Sequence, residues 1–114
     1  MVRHRNEMTS EVRHELRGGK GDVTFLDMMK PDETYGKMRV CSEISMEKGC
    51  SIGRHPHEIK AELFIVKQGI ATIDDNGVMK KCGVGDVIYT GNGEFHSLMN
   101  EDEETLVVYA IVIN

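Results

Sequence analysis

Residues 49–69 read GCSIGRHPHEIKAELFIVKQG, and residues 85–100 read GDVIYTGNGEFHSLMN. His55 and His57 are one residue apart, a spacing that directs both imidazoles to the same face of a β-strand. Glu62 stands at the head of an apolar run, where a carboxylate is costly unless it is paired or bound to a metal. His96 lies in the second stretch. Three imidazoles and one carboxylate suit a divalent transition metal, provided that the fold brings His96 to the other three.

Length and composition limit the architecture to one small domain. The chain has 114 residues, 39% of them hydrophobic, with eight methionines and no tryptophan. A chain of this length builds one hydrophobic core, and here that core must be mostly aliphatic. We divide the chain into an N-terminal arm, residues 1–21, and a folded domain, residues 22–114. Association of subunits would add apolar contact to so small a core.

Charge and hydropathy argue against several classes of protein. The net charge of −5 disfavours binding to nucleic acid, which requires a basic face. Arg13 and Arg17 alternate with glutamates near the start of the chain, a pattern typical of a solvated surface. No segment has the length and apolar content of a membrane span, and residues 1–20 do not resemble a signal peptide. We therefore expect a cytoplasmic protein without a membrane partner.

The cysteines do not predict a cross-linked or thiolate-bound structure. There are three of them, Cys41, Cys50 and Cys82, and no pair has the Cys-x-x-Cys spacing. An odd number without that spacing supports neither a disulfide framework nor a thiolate zinc site. We expect free thiols.

From residue 22 onward, short apolar runs separated by Gly, Asp and Asn predict an all-β sandwich or barrel. Over residues 38–46 the alternation puts Val40 and Ile44 on the inner face of a strand, with Lys37 and Arg39 on the outer face. The sequence Asp-Asp-Asn-Gly at residues 74–77 predicts a tight hairpin turn. Strands are predicted at residues 23–29, 38–46, 63–66, 78 onward, 87–89 and 106–113.

Two other patterns bear on the architecture. Residues 63–66 and 106–113 are apolar at consecutive positions, which indicates strands that are covered on both faces. One face of each such strand packs in the core, and the other then contacts the N-terminal arm or another subunit. Because these strands have more apolar surface than one core requires, we predict a homodimer. In the arm, Met8, Val12 and Leu16 recur every four residues and favour a short helix.

The two quoted stretches resemble the two halves of the cupin signature. The first half in that family reads Gly, five residues, His-x-His, three or four residues, Glu, six residues, Gly. The second reads Gly, five residues, Pro-x-Gly, two residues, His, three residues, Asn. The matching positions are Gly49, His55, His57, Glu62, Gly69, Gly85, Gly93, His96 and Asn100. Gly91 stands where the family usually has Pro, and glycine can still form a sharp turn there.

The resemblance implies a cupin double-stranded β-helix, or jelly-roll barrel, with a short N-terminal arm or helix. It also implies that one divalent transition metal ion, Mn, Fe, Zn or Ni, is held by four ligands: His55, His57, Glu62 and His96. Glu58 directly follows His57 and should point away, whereas Glu62 stands at the ligand spacing. Phe64 and Tyr89 are expected in the wall of the pocket, and Asn100 in a structural role.

The resemblance leaves two classes of function open, because the cupin fold hosts many activities. A complete ligand set favours a metal-dependent enzyme that acts on a small oxygenated metabolite, such as a sugar or an organic acid. Its chemistry would be of the isomerase, lyase or dioxygenase type. The lack of an identifiable general acid or base favours the alternative, a metal-anchored module that binds a small molecule without turnover. Both hypotheses name a small molecule as the partner, and neither identifies a catalytic residue.

Overall fold

The structure is a computed structural model that describes residues 1–57 and 60–114. Within these residues, ten β-strands form two antiparallel sheets. The strands are β1 (Thr9–His14), β2 (Asp22–Met29), β3 (Met38–Met46), β4 (Ser51–Pro56), β5 (Ala61–Gln68), β6 (Ala71–Asp75), β7 (Val78–Cys82), β8 (Val87–Thr90), β9 (Phe95–Met99) and β10 (Leu106–Ile113). Short 3₁₀ segments span Arg5–Glu7, Leu16–Gly18 and Pro31–Thr34. The predicted all-β fold is confirmed.

The two sheets enclose one hydrophobic core. The larger sheet has the strand order β1-β2-β3-β10-β5-β8, and the smaller has the order β4-β9-β6-β7. The core joins Ile44 and Phe64 of the larger sheet to Ile73 and Leu98 of the smaller one. Burial alternates along β10 from Leu106 onward, so that every second side chain enters the core. This alternation is what a strand with one inward face requires.

The strongest patterns of the sequence correspond to elements of the structure. β3 and β10 have the predicted bounds, and β2, β5 and β8 contain their predicted segments. β6 and β7 form the predicted hairpin, with Asn76 at φ 50° and Gly77 at φ 93°. Positive φ at both central residues is the type I′ geometry that a two-residue hairpin favours.

The predicted helix in the N-terminal arm is wrong, because residues 9–14 form β1. This strand pairs antiparallel with β2, from Thr9 opposite Asp27 to His14 opposite Asp22. A spacing of four residues fits a helical repeat, but it is also a multiple of the strand repeat of two. The edge of β2 offers a hydrogen-bond ladder, whereas a short helix is marginal without tertiary packing. Residues 1–21 thus contribute the edge strand of the larger sheet.

The outward side of the larger sheet is apolar over three adjacent strands. Tyr89, Leu63 and Ile111 lie side by side in one row, and Val87, Ile65 and Tyr109 in the next. We call these six residues the outer apolar face. Val87 and Tyr89 are each 59% exposed, and the other four are half-buried.

A buried carboxylate borders the outer apolar face. Glu43 lies opposite Tyr109 and is 5% exposed. Its carboxylate accepts hydrogen bonds from Arg5 at 2.5 Å and from Lys67 at 2.6 Å. The Arg5 guanidinium and the Lys67 ammonium hold the pKa of Glu43 below its ordinary value. The N-terminal arm therefore reaches the border of this face through the contact of Arg5 with Glu43.

Asn100 has the structural role that the resemblance implies. Its side-chain amide is buried and donates to the backbone carbonyls of Met46 and Glu104, at 3.0 and 2.9 Å. Its amide oxygen accepts from the Asp102 backbone N–H at 2.9 Å. These three bonds tie the end of β3 to the loop that precedes β10.

Cys41, Cys50 and Cys82 are free thiols in the structure. Among residues 1–57 and 60–114, no helix has the length and apolar character needed to cross a membrane.

Candidate metal centre

Four buried side chains converge between the two sheets. His55 on β4 lies opposite His96 on β9 in the smaller sheet. Glu62 points inward from β5 of the larger sheet, and His57 follows the end of β4. We call these four residues the His/Glu cluster. Pro56 lies at the edge of the smaller sheet, because β4 is its outermost strand, and a missing backbone donor is tolerated there.

The separations within the cluster match those of donors around a single metal ion. The Glu62 Oε1 atom lies 2.9 Å from His96 Nε2, 3.0 Å from His57 Nε2 and 3.7 Å from His55 Nε2. The His96 Nε2 atom lies 3.0 Å from His55 Nε2 and 3.2 Å from His57 Nε2. Transition-metal bonds to N and O of about 2.1 Å place adjacent ligands about 3 Å apart. The cluster therefore has the donors and the spacing to hold one ion.

The tautomers of two imidazoles also fit a cation. His55 Nδ1 lies 2.8 Å from the carbonyl oxygen of Gly53, which can only accept, so Nδ1 carries the proton. His96 Nδ1 lies 2.9 Å from Thr90 Oγ1, and a proton on Nδ1 leaves its Nε2 as an acceptor. With both Nδ1 atoms protonated, the two Nε2 atoms at 3.0 Å would repel each other unless a metal ion lay between them. Such contacts to the distal ring nitrogen are also those that orient a metal-binding histidine.

Burial and mutual contact set the protonation of the cluster. Burial raises the pKa of Glu62, but hydrogen bonding with the three imidazoles outweighs it and holds that pKa well below its ordinary value. Burial lowers the pKa of His96, and the nearby Glu62 carboxylate opposes this lowering. A carboxylate that stays ionised beside a neutral imidazole is the protonation state that metal binding requires.

A turn at residues 91–94 positions His57 and His96. The backbone N–H of Gly93 donates to the His57 carbonyl at 2.8 Å, and the His57 N–H donates to the Glu94 carbonyl at 2.9 Å. Asn92 and Gly93 have φ of 55° and 77°, so the sharp turn depends on these two residues. Gly91, the position that departs from the cupin signature, needs no positive φ.

The sequence placed two aromatic residues in the pocket wall, and neither lines the cavity beside the cluster. Phe64 lies behind His96, with its ring stacked on the imidazole at a centroid distance of 5.1 Å and an interplanar angle of 19°. It packs and orients a cluster residue. Tyr89 belongs to the outer apolar face, because it directly precedes the inward-facing Thr90. Glu58, which was expected to point away, lies outside the described residues.

A cavity of about 450 Å³ adjoins the cluster. His55, His57 and Glu62 form part of its lining, and Val40, Ile44, Ile52 and Val112 are among its apolar residues. Arg13, Arg17, Arg39 and Lys60 also line it. Arg39, expected on the outer face, therefore contributes to the cavity, and so do Arg13 and Arg17, although Arg17 and Arg39 are exposed residues, as a solvated surface requires. The alternation of residues along one strand reveals neither the irregularity at Arg39 nor the register of β1, so neither could be predicted.

A family model described as the cupin domain matches residues 42–112. The chain is a cupin. This cupin is 32% identical over 113 residues to a Thermotoga maritima protein named "Oxalate-binding protein", with 99% of this chain and 93% of the relative covered. It is 28% identical over 104 residues to a Pseudomonas aeruginosa protein named "Putative quercetin 2,3-dioxygenase", of which it covers 45%.

A solved structure supports the same assignment. The crystal structure of a predicted oxalate decarboxylase from Thermotoga maritima superimposes on this cupin with a TM-score of 0.95 at 32% identity. The superposition covers 99% of this chain and 98% of the solved one. The expectation of a cupin barrel is confirmed.

Proposed function

We propose that His55, His57, Glu62 and His96 hold one divalent transition metal ion, Mn, Fe, Zn or Ni, and that the site binds a small carboxylate anion. One observation carries the proposal: three imidazole nitrogens and a carboxylate oxygen converge beside a cavity that is lined by cationic side chains. A bound metal ion would supply Lewis-acid attraction for a ligand oxygen. The arginines of the cavity add donors whose planar fork matches a carboxylate.

The relatives support the carboxylate as the ligand class. The Thermotoga maritima relative is named for binding oxalate, and it aligns with nearly the whole of this chain. Oxalate is therefore the first ligand to test. The dioxygenase name belongs to a protein of which this chain spans less than half, and it supports no choice of substrate here.

The residues of the cavity favour binding over proton-transfer chemistry. Outside the His/Glu cluster, the charged groups described in its lining are Arg13, Arg17, Arg39 and Lys60. A guanidinium stays protonated in proteins and accepts no hydrogen bond, so none of the three arginines is a general base. Lys60 is then the one charged group described in the lining, outside the cluster, that can transfer a proton, and the three arginines support the metal-anchored binding module. The metal-dependent enzyme of the sequence analysis remains a prediction, which a test for products addresses.

Titration calorimetry with oxalate tests the proposed function. We expect the Mn²⁺-loaded protein to bind oxalate at least 10-fold more tightly than acetate, because a dianion gains more from the positive cavity. The metal-free protein should bind oxalate at least 10-fold more weakly than the loaded one. Equal oxalate affinity with and without metal would contradict the proposal. Release of formate or consumption of oxygen, measured in the same samples, distinguishes turnover of oxalate from binding alone.

We also propose that two copies of the chain associate through the outer apolar face. Two exposed and four half-buried apolar side chains form a continuous patch on a sheet, and large exposed patches are uncommon on monomers. Most oligomers of one chain are two-fold symmetric dimers that use the same surface on both copies. A second copy supplies such a surface.

Light scattering coupled to gel filtration tests the dimer. The 12.8 kDa chain should elute with twice its mass, and Tyr89→Lys should shift it toward the monomer, because a charge at this position would be buried without a partner. Tyr35→Lys is the matched control, since Tyr35 is 94% exposed and lies outside the outer apolar face. A monomeric wild-type chain at micromolar concentration would refute this interface.

A further inference from the structure

Three arginines on three different elements line the cavity next to the His/Glu cluster. Arg13 lies on β1, Arg17 in the 3₁₀ segment Leu16–Gly18, and Arg39 near the start of β3. We call them the arginine cluster. The chain as a whole carries a net charge of −5, so the positive charge at this cavity is opposite in sign to the net charge of the protein. A cleft lined by one sign of charge attracts ligands of the opposite sign.

A β-bulge accounts for the position of Arg39. Val112 lies opposite Val40, and the next residue of β10, Ile113, lies opposite Met38. Arg39 is therefore the extra residue, without a partner of its own in the ladder. A bulge re-aims the side chain that it carries and is common next to active sites. It explains how a residue that alternation assigns to the outer face comes to line the cavity.

Two backbone features hold Arg17 at the cavity. Its φ of 56° lies in the left-handed region, which is uncommon for a residue other than glycine and which persists only where the surroundings enforce it. The enforcing contact is with β4, where a Cβ atom on Gly53 would lie 2.0 Å from the Arg17 carbonyl oxygen. Only glycine allows the segment to press this closely against the strand.

Arg17 and Arg39 keep their positive charge available for a ligand. Arg13 has a carboxylate partner, Glu11, at 3.3 Å, and its guanidinium lies 4.1 Å from the Phe25 ring centroid. Within residues 1–57 and 60–114, neither Arg17 nor Arg39 has a carboxylate within salt-bridge distance. These two guanidinium groups, which have no carboxylate partner among the described residues, are available at the cavity to an anionic ligand.

The sheet sets the backbone separation between Arg39 and Glu62 of the His/Glu cluster. Glu62 on β5 lies opposite Val112 on β10, and Val112 lies opposite Val40 on β3. Neighbouring strands are about 4.8 Å apart, so the backbone next to Arg39 lies about 10 Å from that of Glu62. Val112 stands between them and is apolar. A ligand that reaches both ends therefore needs an anionic group at each end and an apolar middle.

From these contacts we infer that the arginine cluster, through Arg17 and Arg39, binds a second carboxylate of the ligand, and that the preferred ligand is a dicarboxylate with a short methylene spacer. The first carboxylate lies at the His/Glu cluster, so the inference rests on the proposed function. Oxalate has no methylene group to lie against Val112. Succinate has two carboxylates and a spacer of two methylenes, and butyrate is the same chain with one carboxylate replaced by methyl.

Titration calorimetry of the Mn²⁺-loaded protein with succinate and butyrate tests the inference. The wild type should bind succinate at least 10-fold more tightly than butyrate and more tightly than oxalate. Arg39→Met should lower the affinity for succinate about 10-fold and leave that for butyrate unchanged, because a charge-assisted hydrogen bond is lost only for the dianion. Arg17→Met should act in the same direction. Lys37→Met is the matched control, since it removes one positive charge next to β3 at a residue that does not line the cavity.

Each other outcome counts against a definite part of the proposal. If the wild type binds succinate no better than butyrate or oxalate, or if Arg39→Met weakens both succinate and butyrate equally, the second carboxylate subsite is refuted. If oxalate binds in a metal-dependent manner and succinate does not bind, the proposed function stands and the inference falls. If the loaded protein binds no carboxylate, both fall. Metal content and thermal unfolding, measured for every variant, exclude a misfolded or metal-depleted sample.

Discussion

Replacing either His57 or His96 by alanine should weaken metal binding by at least 100-fold and leave the β fold in place. Each substitution removes one of four donors, and the loss of a mere supporting contact to a ligand already costs metal affinity 10- to 100-fold. The Nε2 atom of His96 lies about 3 Å from the donor atoms of all three other residues. His96→Ala therefore removes the donor that is close to all the others. Elemental analysis after gel filtration gives the metal content, and circular dichroism reports the fold.

His4→Ala serves as the control for this experiment, because His4 is an exposed residue of the N-terminal arm. It should retain the metal content of the wild type. The assignment of the ligands would be wrong if both His57→Ala and His96→Ala bound metal at the wild-type level. Glu62→Gln adds a further check, since an amide keeps the size of the side chain but removes the negative charge that attracts a divalent cation.

Periodicity was sufficient for the strands that have one inward face. β3 could be delimited from the sequence because its apolar residues repeat every second position, and β10 because it is an unbroken apolar run between Thr105 and Asn114. β1 could not be assigned, because five of its six residues are polar and its formation depends on the edge of β2. A strand that forms mainly through pairing carries little information in its own sequence.

The candidate site was predicted in one part and missed in another. His55, His57, Glu62 and His96 were found through a two-part motif, whose members the fold brings together from both sheets. Arg39 was missed because a bulge reverses the side that alternation assigns. Arg17 was missed because its position depends on a close contact with Gly53 on another element. A local sequence motif predicts metal ligands that stand at a fixed spacing. It does not predict residues whose position in the cavity depends on strand register or on contacts with another element.

Replacing Phe64 by alanine should destabilise the metal-free protein by about 3–5 kcal/mol, the usual cost of removing a fully buried aromatic ring. Phe64 is 1% exposed and belongs to the core shared by both sheets. The midpoint of thermal unfolding should fall by roughly 15–25 °C for a domain of this size. Phe95→Ala is the control, because Phe95 is only half-buried and its main neighbour is the Arg54 guanidinium, 3.6 Å from the ring centroid. We expect Phe95→Ala to lower the free energy of unfolding by about 1 kcal/mol.

The same variants separate the packing role of Phe64 from its contact with His96. Urea unfolding without metal measures packing alone, whereas the added stability at a fixed Mn²⁺ concentration measures metal affinity, because a ligand that binds only the folded state stabilises it by mass action. If the Phe64 ring orients His96, as the stacked arrangement at 5.1 Å indicates, Phe64→Ala should reduce this added stability as well. Phe64→Leu, which keeps most of the buried volume, should fold in any case. Full Mn²⁺ stabilisation in both variants would limit Phe64 to packing, and a loss below 1 kcal/mol for Phe64→Ala would contradict its place in the core.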